Sequence, residues 1–137
     1  MEHISSFTYC DSIRTEMTQQ GPRSKIIKPL KVLAPIAIPG NYSFSIACNL
    51  TGFDAAVENH ARIKFLAPDG QIINDTGEVR FQIPANQIKE GRQNIMQFNL
   101  DMRNMVFREA GTYTTKIYLN QEEVGSYDIP VVLGKLQ

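Results

Sequence analysis

The chain has no tryptophan, only two cysteines, and no surplus of either charge. Each shortage excludes something. Without Trp, the core of an antibody-type domain, in which a buried Trp packs on an intersheet disulfide, has no centre. Cys10 and Cys48 offer no C-x-x-C spacing and at most one bridge. They fall on segments read as separate strands, and with no export signal they are expected as buried free thiols. Fourteen Lys and Arg balance fourteen Asp and Glu, so there is no overall field to draw a polyanion; nucleic acid and membrane surfaces are not expected partners. A neutral chain also offers little self-repulsion, which leaves self-association open. No apolar run approaches the ~20 residues of a membrane span. Met1–Ile4 leads into no signal-peptide core, and the expected location is the cytoplasm.

What is present is period-two alternation. Tyr42, Phe44, Ile46, Cys48 and Leu50 point one way, with Ser43, Ser45, Ala47 and Asn49 the other, which predicts a strand with one face on a core. Met96, Phe98, Leu100 and Met102 repeat the pattern, as do Ile63 with Phe65, Val79 with Phe81 and Ile83, and the runs Thr112–Asn120 and Val124–Leu133. Pro68-Asp69-Gly70 and Asn74-Asp75-Thr76-Gly77 read as turns, the first joining a hairpin that returns through Gln71-Ile72-Ile73. A helical turn is expected within Asn86–Glu90, capped by Gly91.

The first part of the chain is less regular. His3–Cys10 predicts a strand with Ile4, Ser6, Thr8 and Cys10 on one face and Ser5, Phe7 and Tyr9 on the other. Asp11-Ser12 reads as a break, Ile13–Thr18 as a short strand or helical turn, and Gln19–Ser24 as a mobile loop around Gly21-Pro22. Lys25–Ile38 carries Pro29 and Pro35 and ends at Pro39. It reads as a broken edge strand, with Ile26, Ile27, Leu30, Val32, Leu33 and Ile36 packed inward. Short, evenly spaced strands with no long amphipathic helix predict an all-β, two-sheet antiparallel sandwich of about eight strands, with at most short helical turns. Residues 1–137 are expected to form one domain, the first ~24 residues being a peripheral strand and loop.

Glu109-Ala110-Gly111-Thr112-Tyr113 resembles the tyrosine corner of immunoglobulin-like sandwiches, in which a Tyr near the start of a late strand bonds back to the preceding corner. Thr115 stands where an antibody-type domain has its second Cys. More of the chain, Ile26–Leu133, resembles a family of small bacterial β-sandwich proteins of unknown function. The resemblance rests on Pro39-Gly40-Asn41-Tyr42-Ser43-Phe44, on Pro68-Asp69-Gly70, and on Phe107 through Tyr113 with a terminal hairpin. These are turn and core positions, so the resemblance implies an architecture and no site residues.

The residues that could carry chemistry do not fall into a known pattern. His3, His60, Cys10 and Cys48 lack the spacing of a metal site. There is no G-x-S-x-G elbow and no Gly-rich phosphate loop. A Cys48–His60 pair is conceivable, but Cys48 lies on an apolar strand face, where a thiol is usually inert. Asp69, Asp75, Glu122 and Glu123 sit in turns, as solvating acids do. Arg62, Lys64 and Arg80 share an outer face that reads as solvated, since stacking rings are missing beside them. No catalytic, cofactor-binding or metal-binding residue is therefore nominated, and no cofactor. The expected function is non-enzymatic: a module that binds another protein or itself. The Ser/Ala/Asn face of Tyr42–Leu50 and the apolar edge Ile26–Ile38 are the surfaces singled out. The alternatives are a sugar-binding domain on Tyr9, Tyr118 or Tyr127, a phage structural domain, or a phage-encoded inhibitor of a host protein.

Overall fold

A computed structural model describes residues 3–88 and 94–134. Nine strands occur among them: β1 Ile4–Thr18, β2 Gly21–Pro29, β3 Gly40–Leu50, β4 Asn59–Leu66, β5 Ile72–Asp75, β6 Val79–Phe81, β7 Met96–Phe107, β8 Gly111–Leu119 and β9 Glu122–Val131. They form two antiparallel sheets, one ordered β2-β1-β3-β7 and the other β5-β4-β8-β9, with β6 also paired to β4. The architecture is an immunoglobulin-like β-sandwich. A single 3-10 turn at Ala85–Gln87 is the only helical element among the described residues. The expected cap at Gly91 lies outside them.

The core forms where the alternating faces meet. Phe44 on β3, Phe65 on β4, Phe107 on β7 and Tyr113 on β8 are each at most 2% exposed. Their rings touch in sequence, with centroids 5.4 Å apart for Phe44–Phe65, 5.7 Å for Phe65–Tyr113 and 5.0 Å for Phe107–Tyr113. Such aromatic pairs add directional contacts to the area they bury. A second cluster at the other end joins Cys48, Leu50, Ala61, Ile63, Ile117 and Leu119. Both clusters use the residues that the alternation places inward.

The corner is present. The Tyr113 hydroxyl donates to the Glu109 carbonyl at 2.8 Å. Gly111 makes the corner possible: its φ is 145°, and a Cβ there would lie 2.9 Å from Pro68 Cγ. At Thr115, the place of the second Cys of an antibody-type domain, this chain has a hydrogen-bonded tie between the sheets. Thr115 Oγ1 lies 2.6 Å from the Tyr9 hydroxyl, which itself donates to the Tyr127 carbonyl at 2.7 Å. Tyr9 is on β1 and the other two are on β8 and β9, so one phenol links the two sheets. Burial raises the Tyr9 pKa well above the ordinary phenol value, which keeps the phenol a donor.

Several expectations need correction. β1 does not break at Asp11-Ser12; it continues to Thr18, and Gln19-Gln20 is a two-residue turn into β2. The Thr18 hydroxyl closes that turn, accepting from the Gln20 amide and donating to the Gly21 carbonyl. Gly21-Pro22 therefore starts a strand instead of lying in a loop. Pro is tolerated because β2 is an edge, where a missing donor breaks no inner ladder. The expected alternation in β1 fails at Ser5, where a register irregularity between Ile4 and Ser6 places one extra residue against β3. Ile4 consequently packs toward Gly125 between the sheets, as Phe7 packs on Tyr127. β7 runs past Arg103 to Phe107 through a second irregularity opposite Ser43. Asn104, at φ 54°, absorbs it, and its amide is held by the Ser43 hydroxyl at 2.9 Å.

Candidate interaction surface

The length of β1 builds the most unusual surface of the molecule. Its first half, Ile4 to Cys10, pairs with β3; its second half, Cys10 to Thr18, pairs with β2. Only Cys10 belongs to both ladders, opposite Ser45 on one side and Pro29 on the other. Beyond Cys10 the chain is a two-stranded arm, Asp11–Pro29, no longer held by β3. Eight residues of strand extend it by roughly 26 Å.

The arm does not continue in the plane of the sheet. Ser24 Oγ on β2 accepts from Asn99 Nδ2 at 3.0 Å and donates to Gln97 Oε1 at 3.4 Å, both on β7. β2 and β7 are the two opposite edges of that sheet. Three strand spacings, about 14 Å, separate such edges in plane, so contact requires the arm to fold back across the outer face. That face is the Ser/Ala/Asn face of β3. Ser45 and Ala47 are buried there at 3% and 6% exposure, and the Ser45 hydroxyl donates to Asp101 at 2.9 Å. The flat face singled out from the sequence as open to a partner is thus largely taken by the chain's own arm. An open cleft of about 570 Å³ remains under the arm's tip, between Thr15, Thr18, Pro22, Ser24 and Gln97.

The register sorts the arm's side chains. Ile13 opposite Ile26, Thr15 opposite Ser24, and Met17 opposite Pro22 share the face that carries the Ser24 contacts. Arg14 opposite Lys25 and Glu16 opposite Arg23 share the other. Residues 14–31 hold five cations, Arg14, Arg23, Lys25, Lys28 and Lys31, against the single carboxylate Glu16. With the whole chain neutral, the remainder is acidic by four charges. None of the five makes an ion pair among the described residues, whereas Arg62, Arg80, Arg103 and Lys116 each do. Sequence reading by motif missed this cluster, although the count of charges in residues 14–31 shows it.

The edge beyond β2 is apolar, as expected, but less of it is buried. Leu33 is fully buried and forms a parallel bridge with Val131. Ile26, Val32 and Ile36, expected inward, are 41%, 38% and 63% exposed. Ile26 lies on the arm, paired to β1 beyond the reach of β3, and Val32 and Ile36 fall in the proline-bearing stretch between β2 and β3 that is not strand. Val132 and Leu133 on the adjoining C-terminal stretch are exposed as well.

The remaining candidates disperse. Arg62 and Lys64 on β4 and Arg80 on β6 do share an outer face, but each is answered. Arg62 binds Asp75 through two bonds, 2.9 and 2.6 Å, Arg80 lies 3.7 Å from Glu58, and Lys64 sits over the Tyr118 ring. The Arg62 guanidinium and the Gly77 amide hold the Asp75 carboxyl at about 2. Asp69 accepts from the Gln71 amide within its own turn, and Glu123 pairs with Lys116. Cys48 faces the core, where burial pushes its thiol up to about 12. His60 instead lies beside Glu78, on the outer side of the other sheet. Cys10 is buried on the opposite side of its sheet from Cys48, so the two thiols do not meet. No group of three or more His, Cys, Asp or Glu converges among the described residues. All five tyrosines are buried or half-buried. Among the described residues, no helix is long and apolar enough to cross a membrane.

Comparison with curated proteins finds no match. Among solved structures, an immunoglobulin-like protein of Pseudomonas aeruginosa is 12% identical, covering 96% of this chain and 95% of its own, with a TM-score of 0.42. The DNA-bound alkylpurine DNA glycosylase AlkC of Pseudomonas fluorescens is 15% identical at a TM-score of 0.42; the match covers 74% of this chain but 27% of the glycosylase. The metal-bound CARDB domain of a Pyrococcus furiosus protein is 11% identical, covering 96% of this chain and 91% of that domain, with a TM-score of 0.37. A family model matches residues 5–132, from the second residue of β1 to just past the end of β9, and the chain belongs to that family, the family of unknown function DUF6941.

Proposed function

We propose that this protein is a non-catalytic, cytoplasmic β-sandwich module that binds another protein, and that the β1–β2 arm is the surface it uses. The observation that carries this is the departure of β1 from the sheet at Cys10. A core needs strands that stay in the ladder, yet this one gives half its length to a hairpin whose residues Met17 and Ile26 are 76% and 41% exposed. Exposed apolar side chains on an edge strand are a liability unless a partner uses them. The tyrosines named for a sugar platform serve the fold instead: Tyr9 ties the sheets, Tyr127 stacks on Phe7, and Tyr118 lies under Lys64.

The test uses the full chain and a variant in which a two-residue turn replaces residues 14–25. Circular dichroism and thermal unfolding establish that the variant folds. Proteins captured from native cytosol by the full chain and lost with the variant support the arm as the binding surface. Equal capture by both removes it. Light scattering at high concentration decides whether the partner is a second copy; a strictly monomeric mass leaves only heterologous partners.

A further inference from the structure

The arm's charge names the kind of partner it fits. We infer that β2 receives an acidic, extended polypeptide segment, which adds to its free edge as a further strand. This rests on the reading of the arm as the binding surface and specifies the chemistry of what binds.

Three observations converge. First, Arg14 stands directly opposite Lys25, with Arg23 one pair further along the same face. Like charges directly opposite one another destabilise a hairpin. Of the arm's two carboxylates, Glu16 faces Arg23 and Asp11 lies three residues before Arg14, so neither stands opposite the Arg14–Lys25 pair. Carboxylates from a partner relieve it, and they suppress partners of the wrong charge. Second, β2 is the outermost strand of its sheet, paired on one side only. Its free N–H and C=O groups bind a strand of any sequence, while side chains at alternate positions select among sequences. Arg23 and Lys25 are two residues apart on one face, which is the repeat of an added strand's own side chains. Third, the charge is segregated: the arm is basic and the rest of the chain acidic. A polyanion as long as a nucleic acid would meet the acidic remainder. Residues 11–31 also contain no aromatic ring on which bases could stack. Pairing of β2 with β2 of a second copy sets cations against cations, as protected edges do.

The probe is a fluorescein-labelled ten-residue peptide alternating glutamate and threonine, followed by anisotropy at low salt. The expected result is saturable binding by the full chain. It weakens by about tenfold or more when Arg14→Glu and Lys25→Glu are combined, both substitutions being on the exposed face. Replacing the threonines of the peptide with proline removes backbone donors and is expected to abolish binding. Equal binding of the proline peptide reduces the interaction to charge attraction and overturns strand addition. Tighter binding of an oligothymidylate of ten nucleotides, with the same sensitivity to the double substitution, overturns the choice of polypeptide. No binding of the acidic peptide by a protein whose native partners still depend on the arm overturns the acidic-strand inference alone. Native capture unchanged by shortening the arm overturns the reading beneath it.

Discussion

Removing one oxygen atom from Tyr9 should cost this fold more than removing the oxygen from its corner tyrosine. In Tyr9→Phe, two hydrogen bonds disappear, and the Thr115 hydroxyl and Tyr127 carbonyl lose their shared partner. Thr115 is 0% exposed, so water does not replace the phenol. Every buried side-chain nitrogen or oxygen among the described residues has a partner, so the substitution creates a defect absent from the native protein. At about 1 kcal/mol for each net bond, with a further penalty for the stranded Thr115 hydroxyl, the loss is roughly 2–3 kcal/mol. For a chain of this length that lowers Tm by about 8–12 °C. Urea unfolding followed by far-UV circular dichroism measures it, which suits a chain without Trp. Thr115→Val alone leaves the Tyr9–Tyr127 bond and should cost about 1 kcal/mol. The double variant should cost less than the sum of the two, because valine has no hydroxyl to strand. A Tyr9→Phe loss below about 0.5 kcal/mol, or strict additivity, would refute the tie as a structural element.

Tyr113→Phe removes one bond, to the Glu109 carbonyl, and should destabilise by ~1 kcal/mol in the same urea assay. Asp75 has a folded pKa of about 2 against an ordinary 3.8. Its pairing with Arg62 therefore contributes fully above about pH 4 and is lost as the pH falls through about 2. Acid unfolding of Asp75→Asn should lack that component; an unchanged acid curve would show that the pair does not stabilise the fold. Both thiols are buried, and Cys48 titrates only near 12, so neither should react with a disulfide reagent at neutral pH until the protein unfolds. Mass spectrometry of the labelled native protein counts them, and rapid labelling of either would contradict its placement.

The sandwich was legible where one physical rule governed a stretch. β3, β4 and β8 alternate because each has one face on the core; the inward residues of β3 and β4 were named correctly, and the alternation of β8 was read without naming them. The corner was legible because Gly111 and Tyr113 have few other uses in that order. The arm was not legible, and the reason is specific. Asp11-Ser12 carries turn-forming residues, but Ser12 opposite Ile27 continues the ladder regardless. Gly21-Pro22 has the composition of a loop, and only its place on an edge makes it strand. The Ser/Ala/Asn face of β3 read as open because alternation tells which side a residue takes, not what lies over that side. The candidate site was missed for a related reason. Its cations match no motif, and their meaning lies in the absence of opposing acids, which becomes visible once register shows that Arg14 faces Lys25.

The single row that Cys10 shares with Ser45 and Pro29 divides the molecule into two parts of unequal stability. On one side of it, amide exchange should report the global unfolding of the sandwich; on the other, the arm should open and close on its own, at far lower free energy. Substitutions beyond Cys10 then leave the core's cooperativity untouched. Sequence change beyond that row then weighs less on folding than change in the strands behind it.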